Sequence, residues 1–132
     1  MRILIFVFTM LIGLAGCGLE TKTLPEFYGG NIDKVTKIVI LDGSTGYKKT
    51  VKDKKVIDDF LKEIKDIKFI PEANQEKQVG YRYSITFFED GKKTFQFTPI
   101  EINDDYYYSE PDIHPFLDSF YEKLEVKEED LR

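Results

Sequence analysis

Apolar and polar positions along this chain follow two rhythms, and each marks a kind of element. Residues 35–41 (VTKIVIL) are β-branched and apolar, Asp42-Gly43-Ser44-Thr45-Gly46 is a turn cluster, and residues 47–51 continue beyond it, which predicts a first hairpin. After Asp53, a capping residue, Val56, Ile57, Phe60, Leu61, Ile64 and Ile67 recur at three- and four-residue spacings. Lys54, Asp58, Asp59, Lys62, Glu63 and Lys65 take the other side, so this is a helix with one buried face. Residues 67–70 stop at Pro71, and residues 72–78 read as a polar loop. Tyr81, Tyr83, Ile85 and Phe87 then alternate with Arg82, Ser84, Thr86 and Phe88 up to Asp90-Gly91, a strong hairpin signal. On the return strand Phe95 and Phe97 point inward, and Thr94, Gln96 and Thr98 outward. Pro99 ends the pairing because it lacks a donor, and residues 100–102 and 106–108 form a shorter hairpin about residues 103–105.

A final helix is expected over residues 111–124, with Ser109 and Asp112 as a capping pair and Pro111 and Pro115 in or near its first turn. Its apolar face is Ile113, Phe116, Leu117, Phe120, Tyr121 and Leu124, and the acidic tail after Glu125 is expected to fray. Two one-faced helices and a one-faced sheet bury each other most simply as two layers. The expected fold is therefore α+β, an antiparallel β-sheet with two helices packed on one face. At 132 residues the chain has room for one such domain.

The start of the chain follows neither rhythm. Arg2 is followed by residues 3–14, apolar except for Thr9 and Gly13, and then by the small residues Ala15 and Gly16. A positive start, a short apolar stretch and small residues describe a secretory signal. The run is also shorter than the roughly 20 residues a spanning helix needs. Leu14-Ala15-Gly16-Cys17 resembles the lipobox of bacterial lipoproteins, which implies a diacylglycerol on the sulfur of Cys17 and cleavage just before it. Cys17 is the only cysteine, so such an anchor leaves the domain without a disulfide. This divides the chain into a signal peptide (1–16), a lipidated cysteine and tether (17–32) and a single domain (33–132). The tether, with Pro25 and Gly29-Gly30, spans roughly 20–50 Å between coil and full extension. The expected location is the extracytoplasmic side of the cell membrane, held by acyl chains.

Charge narrows the partners. Without residues 1–16 the chain carries 18 basic and 24 acidic groups, net −6, which disfavours nucleic acid and anionic headgroups. Catalytic chemistry finds little support. His114, the single histidine, lies in the first turn of a helix, flanked by Asp112 and Pro115, without companions fixed by sequence. Ser44, Ser84, Ser109 and Ser119 sit in no nucleophile elbow. The 42–46 cluster lacks the lysine of a phosphate loop and the spaced acids of a calcium loop. Asn103, Asp104, Asp105, Glu110 and Asp112 form an acidic group that reads first as a solvated turn and second as a weak calcium site. No cofactor or metal is expected. In Tyr106-Tyr107-Tyr108 strand alternation sends one ring to the face opposite its neighbours. Arg82, Phe88 and one of those three rings are the candidate ligand or partner surface, with a covering loop or tether as the alternative.

As a whole the chain resembles small uncharacterised lipoproteins of Gram-positive bacteria, of the kind called YhfM-like. The likeness rests on the lipobox and on the order hairpin, helix, aromatic hairpin around Glu89-Asp90-Gly91-Lys92, helix. It implies a location and a fold, and brings no catalytic residue. The leading expectation is a non-catalytic surface module that binds a protein or an envelope component. The alternatives are a small-ligand or inhibitor module using the aromatic sheet face, and a cell-envelope hydrolase that would need His114 clustered with acids in a cleft.

Overall fold

The computed structural model describes residues 18–130; the apolar run and Cys17 lie outside the described residues. The fold is α+β. In chain order the elements are α1 (Leu24–Tyr28), a single 3-10 turn (Ile32–Lys34), β1 (Lys37–Asp42), β2 (Tyr47–Val51), α2 (Lys54–Ile64), β3 (Lys68–Pro71), β4 (Tyr83–Glu89), β5 (Lys92–Phe97), β6 (Glu101–Ile102), β7 (Asp105–Glu110), α3 (His114–Lys123) and β8 (Glu129–Asp130). The strands divide between two antiparallel sheets, ordered β5-β4-β1-β2-β8 and β3-β7-β6.

Strand β1 organises the larger sheet. Ile38 pairs with Val51 on one side and Phe87 on the other, and Ile40 pairs with Lys49 and Ile85. Their shared face is buried under the helices, as period-two patterning requires. Two hairpins close on paired left-handed residues: Asp90 (φ 50°) with Gly91 (φ 81°), and Asn103 (φ 51°) with Asp104 (φ 69°). That geometry matches the twist of the flanking strands, so the acidic 103–105 segment is a tight β6–β7 turn. Phe88, the apolar residue on the polar side of β4, sits at a register shift: Phe87 pairs with Phe95 but Phe88 with Lys93, so β5 carries the extra residue, Thr94.

Helix α2 begins where expected, with the Asp53 carboxylate accepting from the Lys55 and Val56 amides. It buries Ile57, Phe60, Leu61 and Ile64. Helix α3 begins at His114, three residues later than the sequence suggested. The Ser109 hydroxyl accepts from Ile113 N–H (3.0 Å) and the Asp112 carboxylate from His114 N–H (3.0 Å), but the N-cap position itself is Ile113, so neither expected residue is the cap.

Two expectations are corrected. The segment read as a tether is folded: Lys22 exchanges both main-chain hydrogen bonds with Phe69 (3.0 and 2.7 Å), and α1 follows with Leu24 fully buried. Glu26 accepts from Thr23 N–H (3.0 Å) and Gly29 (φ 76°) ends the helix. Phe27 packs edge-on against Tyr107 (5.3 Å), and Tyr28 against Phe95 (5.9 Å). The tail read as fraying returns to the larger sheet as β8, where Glu129 pairs with Lys48 and Asp130 with Tyr47.

Candidate functional site

The surface expected from Arg82, Phe88 and the tyrosine run does not assemble. Tyr106 and Tyr107 are both buried, although they point to opposite sides of β7, because each side is covered. Phe27 of α1 lies on Tyr107, and the 75–78 loop closes over Tyr106. There the Gln75 side chain accepts from Tyr106 N–H (2.9 Å) and donates to Tyr106 O (2.9 Å), in the manner of a neighbouring strand. Only Tyr108 of the three is exposed. Phe88 is half-buried beneath the Lys37 ammonium, 4.1 Å from its ring centre. Arg82 lies at the other end of β4, roughly 20 Å away at strand rise. Its guanidinium reaches Asp42 and Asp118, each at 3.5 Å.

Arg82 belongs instead to a polar cluster at the edge of the core. The Tyr83 hydroxyl donates to Asp118 on α3, and Asp42 receives the Ser44 amide (2.9 Å) and hydroxyl (2.7 Å). Burial, reinforced by the Asp118 carboxylate, pushes the Tyr83 hydroxyl up to about 12. The phenol therefore stays protonated and serves as a donor that ties β4 to α3.

One concavity is a feature the sequence did not single out. Between α2 and α3 lies a groove of about 560 Å³ with apolar walls of Val56, Phe116, Phe120 and Leu124. Glu63, Ser119, Lys123 and Glu125 rim it. Phe120 stands 4.8 Å from Phe60 and 5.8 Å from Phe116, ring centre to ring centre. Phe116 and Phe120 each place one side against the core and leave the other half-exposed. The C-terminal end of α3 is held by Lys49 of β2, which is 8% exposed. Its ammonium donates to the main-chain oxygens of Tyr121 (2.6 Å) and Leu124 (3.0 Å) and lies over the Tyr121 ring (4.6 Å). A cation at the last carbonyls of α3 satisfies acceptors that the helix itself cannot, and it opposes the negative end of the helix dipole.

A smaller cleft of about 250 Å³ brings together Glu72, Tyr108, Ser109, Asp112 and His114. His114 Nδ1 is 2.9 Å from the Asp112 carboxylate. Asp112 is held below the usual carboxylate range, first by the His114 amide and then by the imidazole. The Ser109 hydroxyl accepts from the Ile113 amide at the start of α3. Sequence alone had left His114 without companions, and the fold supplies them. Among the described residues, no group of three or more His, Cys, Asp or Glu side chains is placed to hold a metal ion.

The face of the larger sheet turned away from the helices has its own composition. Register places Lys37, Val39 and Leu41 of β1 beside Lys48 and Thr50 of β2 and beside Ser84, Thr86 and Phe88 of β4. Gln96 and Lys93 of β5 continue it, with Lys93 donating to Gln96 (2.6 Å).

No protein family, curated protein or solved structure matches this chain. What the site and fold define is an α+β domain with one apolar groove and one lysine-rich sheet face. Among the described residues no helix is long and apolar enough to cross a membrane.

Proposed function

We propose that this protein is a membrane-anchored extracytoplasmic lipoprotein that acts as a non-catalytic binding module, with the groove between α2 and α3 as its binding site. The sequence Leu14-Ala15-Gly16-Cys17 supports the anchor. The observation that carries the binding role is the pair of half-exposed phenylalanines, Phe116 and Phe120, walling a groove with an apolar floor and a charged rim. Aromatic anchors surrounded by polar groups are how protein surfaces recognise apolar side chains of a partner. The groove volume also lies in the range that encloses a small apolar molecule, which favours a ligand-binding role as the second reading. The cleft at His114 is a weaker basis for hydrolysis, because its imidazole bonds Asp112 and the Ser109 hydroxyl is engaged by the Ile113 amide at the start of α3.

Two measurements test this reading. Metabolic labelling with palmitate is expected to mark the wild type and not Cys17→Ser; equal labelling of both removes the anchor. A photoreactive residue in place of Ser119 at the groove rim is expected to crosslink one envelope protein in intact cells, and Phe120→Asp to abolish the adduct. Crosslinking that ignores Phe120→Asp moves the binding site elsewhere. A ligand extracted from the purified wild type and missing from Phe120→Asp favours the second reading.

A further inference from the structure

We propose that the outer face of the five-stranded sheet docks on anionic phospholipid headgroups, so that the domain lies on the membrane in one orientation rather than hanging beside it. This deepens the anchored-lipoprotein reading and rests on it. The first observation is charge segregation. The mature chain is net −6, yet register places Lys37, Lys48 and Lys93 on this face, and Lys52 follows directly after β2. Glu129, paired with Lys48 at the sheet edge, is the acid opposing them there. Between the lysines the face carries the hydroxyls of Thr50 and Thr86 and the apolar side chains of Val39, Leu41 and Phe88. The net charge that disfavours anionic lipid for the whole molecule therefore does not describe this side of it.

The second observation is the leash. Because main-chain pairing begins at Lys22, residues 18–21 alone separate the docked chain from Cys17. Fully extended they reach about 17 Å, close to the radius of a domain of this size. A lipid on Cys17 thus keeps the domain against the headgroups while leaving it free to roll. The face that settles is then chosen by surface chemistry acting within a Debye length of about 8 Å. Each lysine near an anionic surface favours that orientation about fivefold, so a few suffice once the anchor has removed the cost of encounter.

The test is lysine-selective acylation of the full lipidated chain in vesicles, read residue by residue by mass spectrometry. Phosphatidylcholine vesicles are compared with vesicles containing about a third phosphatidylglycerol. Lys62 on α2 and Lys65 just after it, both exposed, serve as references. The expected result is that Lys37, Lys48, Lys52 and Lys93 react about fivefold more slowly in the anionic vesicles, and that high salt restores their rates. Equal rates in the two vesicle types overturn the proposal, as does protection in neutral vesicles. Equal protection by soluble polyphosphate without vesicles also overturns it, in favour of a soluble polyanion. If the chain carries no lipid, the anchored reading fails separately. In that case the unlipidated chain added at high lipid concentration still tests the face by the same rates.

Discussion

Replacing Lys49 with methionine is the sharpest test of how this fold is held together. Methionine keeps most of the aliphatic stem but removes the ammonium that binds the Tyr121 and Leu124 carbonyls at 2.6 and 3.0 Å. Hydrogen bonds from a charged donor contribute about 1.5–3 kcal/mol each, and water can reach the less buried Leu124 oxygen more readily than the Tyr121 oxygen. The contact with the Tyr121 ring adds about 1 kcal/mol or less. Against these stands the cost of burying the charge, which methionine avoids. The balance is a loss of about 2–4 kcal/mol, or roughly 8–15 °C in Tm for a domain of this size. Thermal and urea unfolding followed by far-ultraviolet circular dichroism read it directly. Lys48→Met, its neighbour on the open face, is expected to stay within about 0.5 kcal/mol of wild type. If Lys49→Met also stays within about 0.5 kcal/mol, the ammonium does not hold α3 and the reasoning is wrong.

Leu24→Ala is expected to cost about 2–4 kcal/mol in urea unfolding, because Leu24 is fully buried; a true tether residue would cost nothing measurable. Tyr83 gives a pH signature: its hydroxyl is raised to about 12 in the folded state, so the stability it contributes is complete below about pH 10 and is lost as pH rises toward 12. Melting curves across that window should fall less steeply for Tyr83→Phe than for wild type, and parallel curves would refute the assignment. His114→Ala is expected to leave the fold within about 1 kcal/mol of wild type, since its imidazole bond to Asp112 is solvent-exposed; a larger loss in urea unfolding would assign the pair a structural role.

Much of the larger sheet and both long helices could be read from period alone, since Ile38, Ile40, Ile85 and Phe87 alternate and α2 keeps its apolar stripe. Residues 47–51 held a further signal. Lys48 and Lys49 are adjacent in a strand, so one of them had to face inward and find acceptors there. The short α1 was also written in the chain, as Thr23 followed by Pro25, Glu26 and Gly29, but a five-residue helix has too few apolar positions to show a period. Strand β8 left no trace, because two acidic residues have no strand propensity and their pairing depends wholly on the waiting edge of β2. The groove was hidden for a different reason. Phe116 and Phe120 belong to the same broad stripe as Leu117 and Tyr121, and spacing cannot say which margin of such a stripe the neighbouring helix leaves uncovered. The tyrosine run shows the limit of alternation. Period two placed the rings on opposite sides correctly, but whether each side meets water was decided by Phe27 and the 75–78 loop, far away in sequence.

The last strand has a consequence for how the protein keeps to itself. Without Glu129 and Asp130, β2 would present a row of main-chain donors and acceptors to any other extended chain. The two residues that cover its first part, opposite Tyr47 and Lys48, are both carboxylates, so that margin of the sheet repels a second copy instead of templating one. The carboxylate of Glu128, receiving the Tyr121 hydroxyl at 2.8 Å, clips that short cover to α3. A fusion joined after Asp130 is therefore attached to the guard of an adhesive edge. Loosening those few residues would be felt first as self-association, well before any loss of the core.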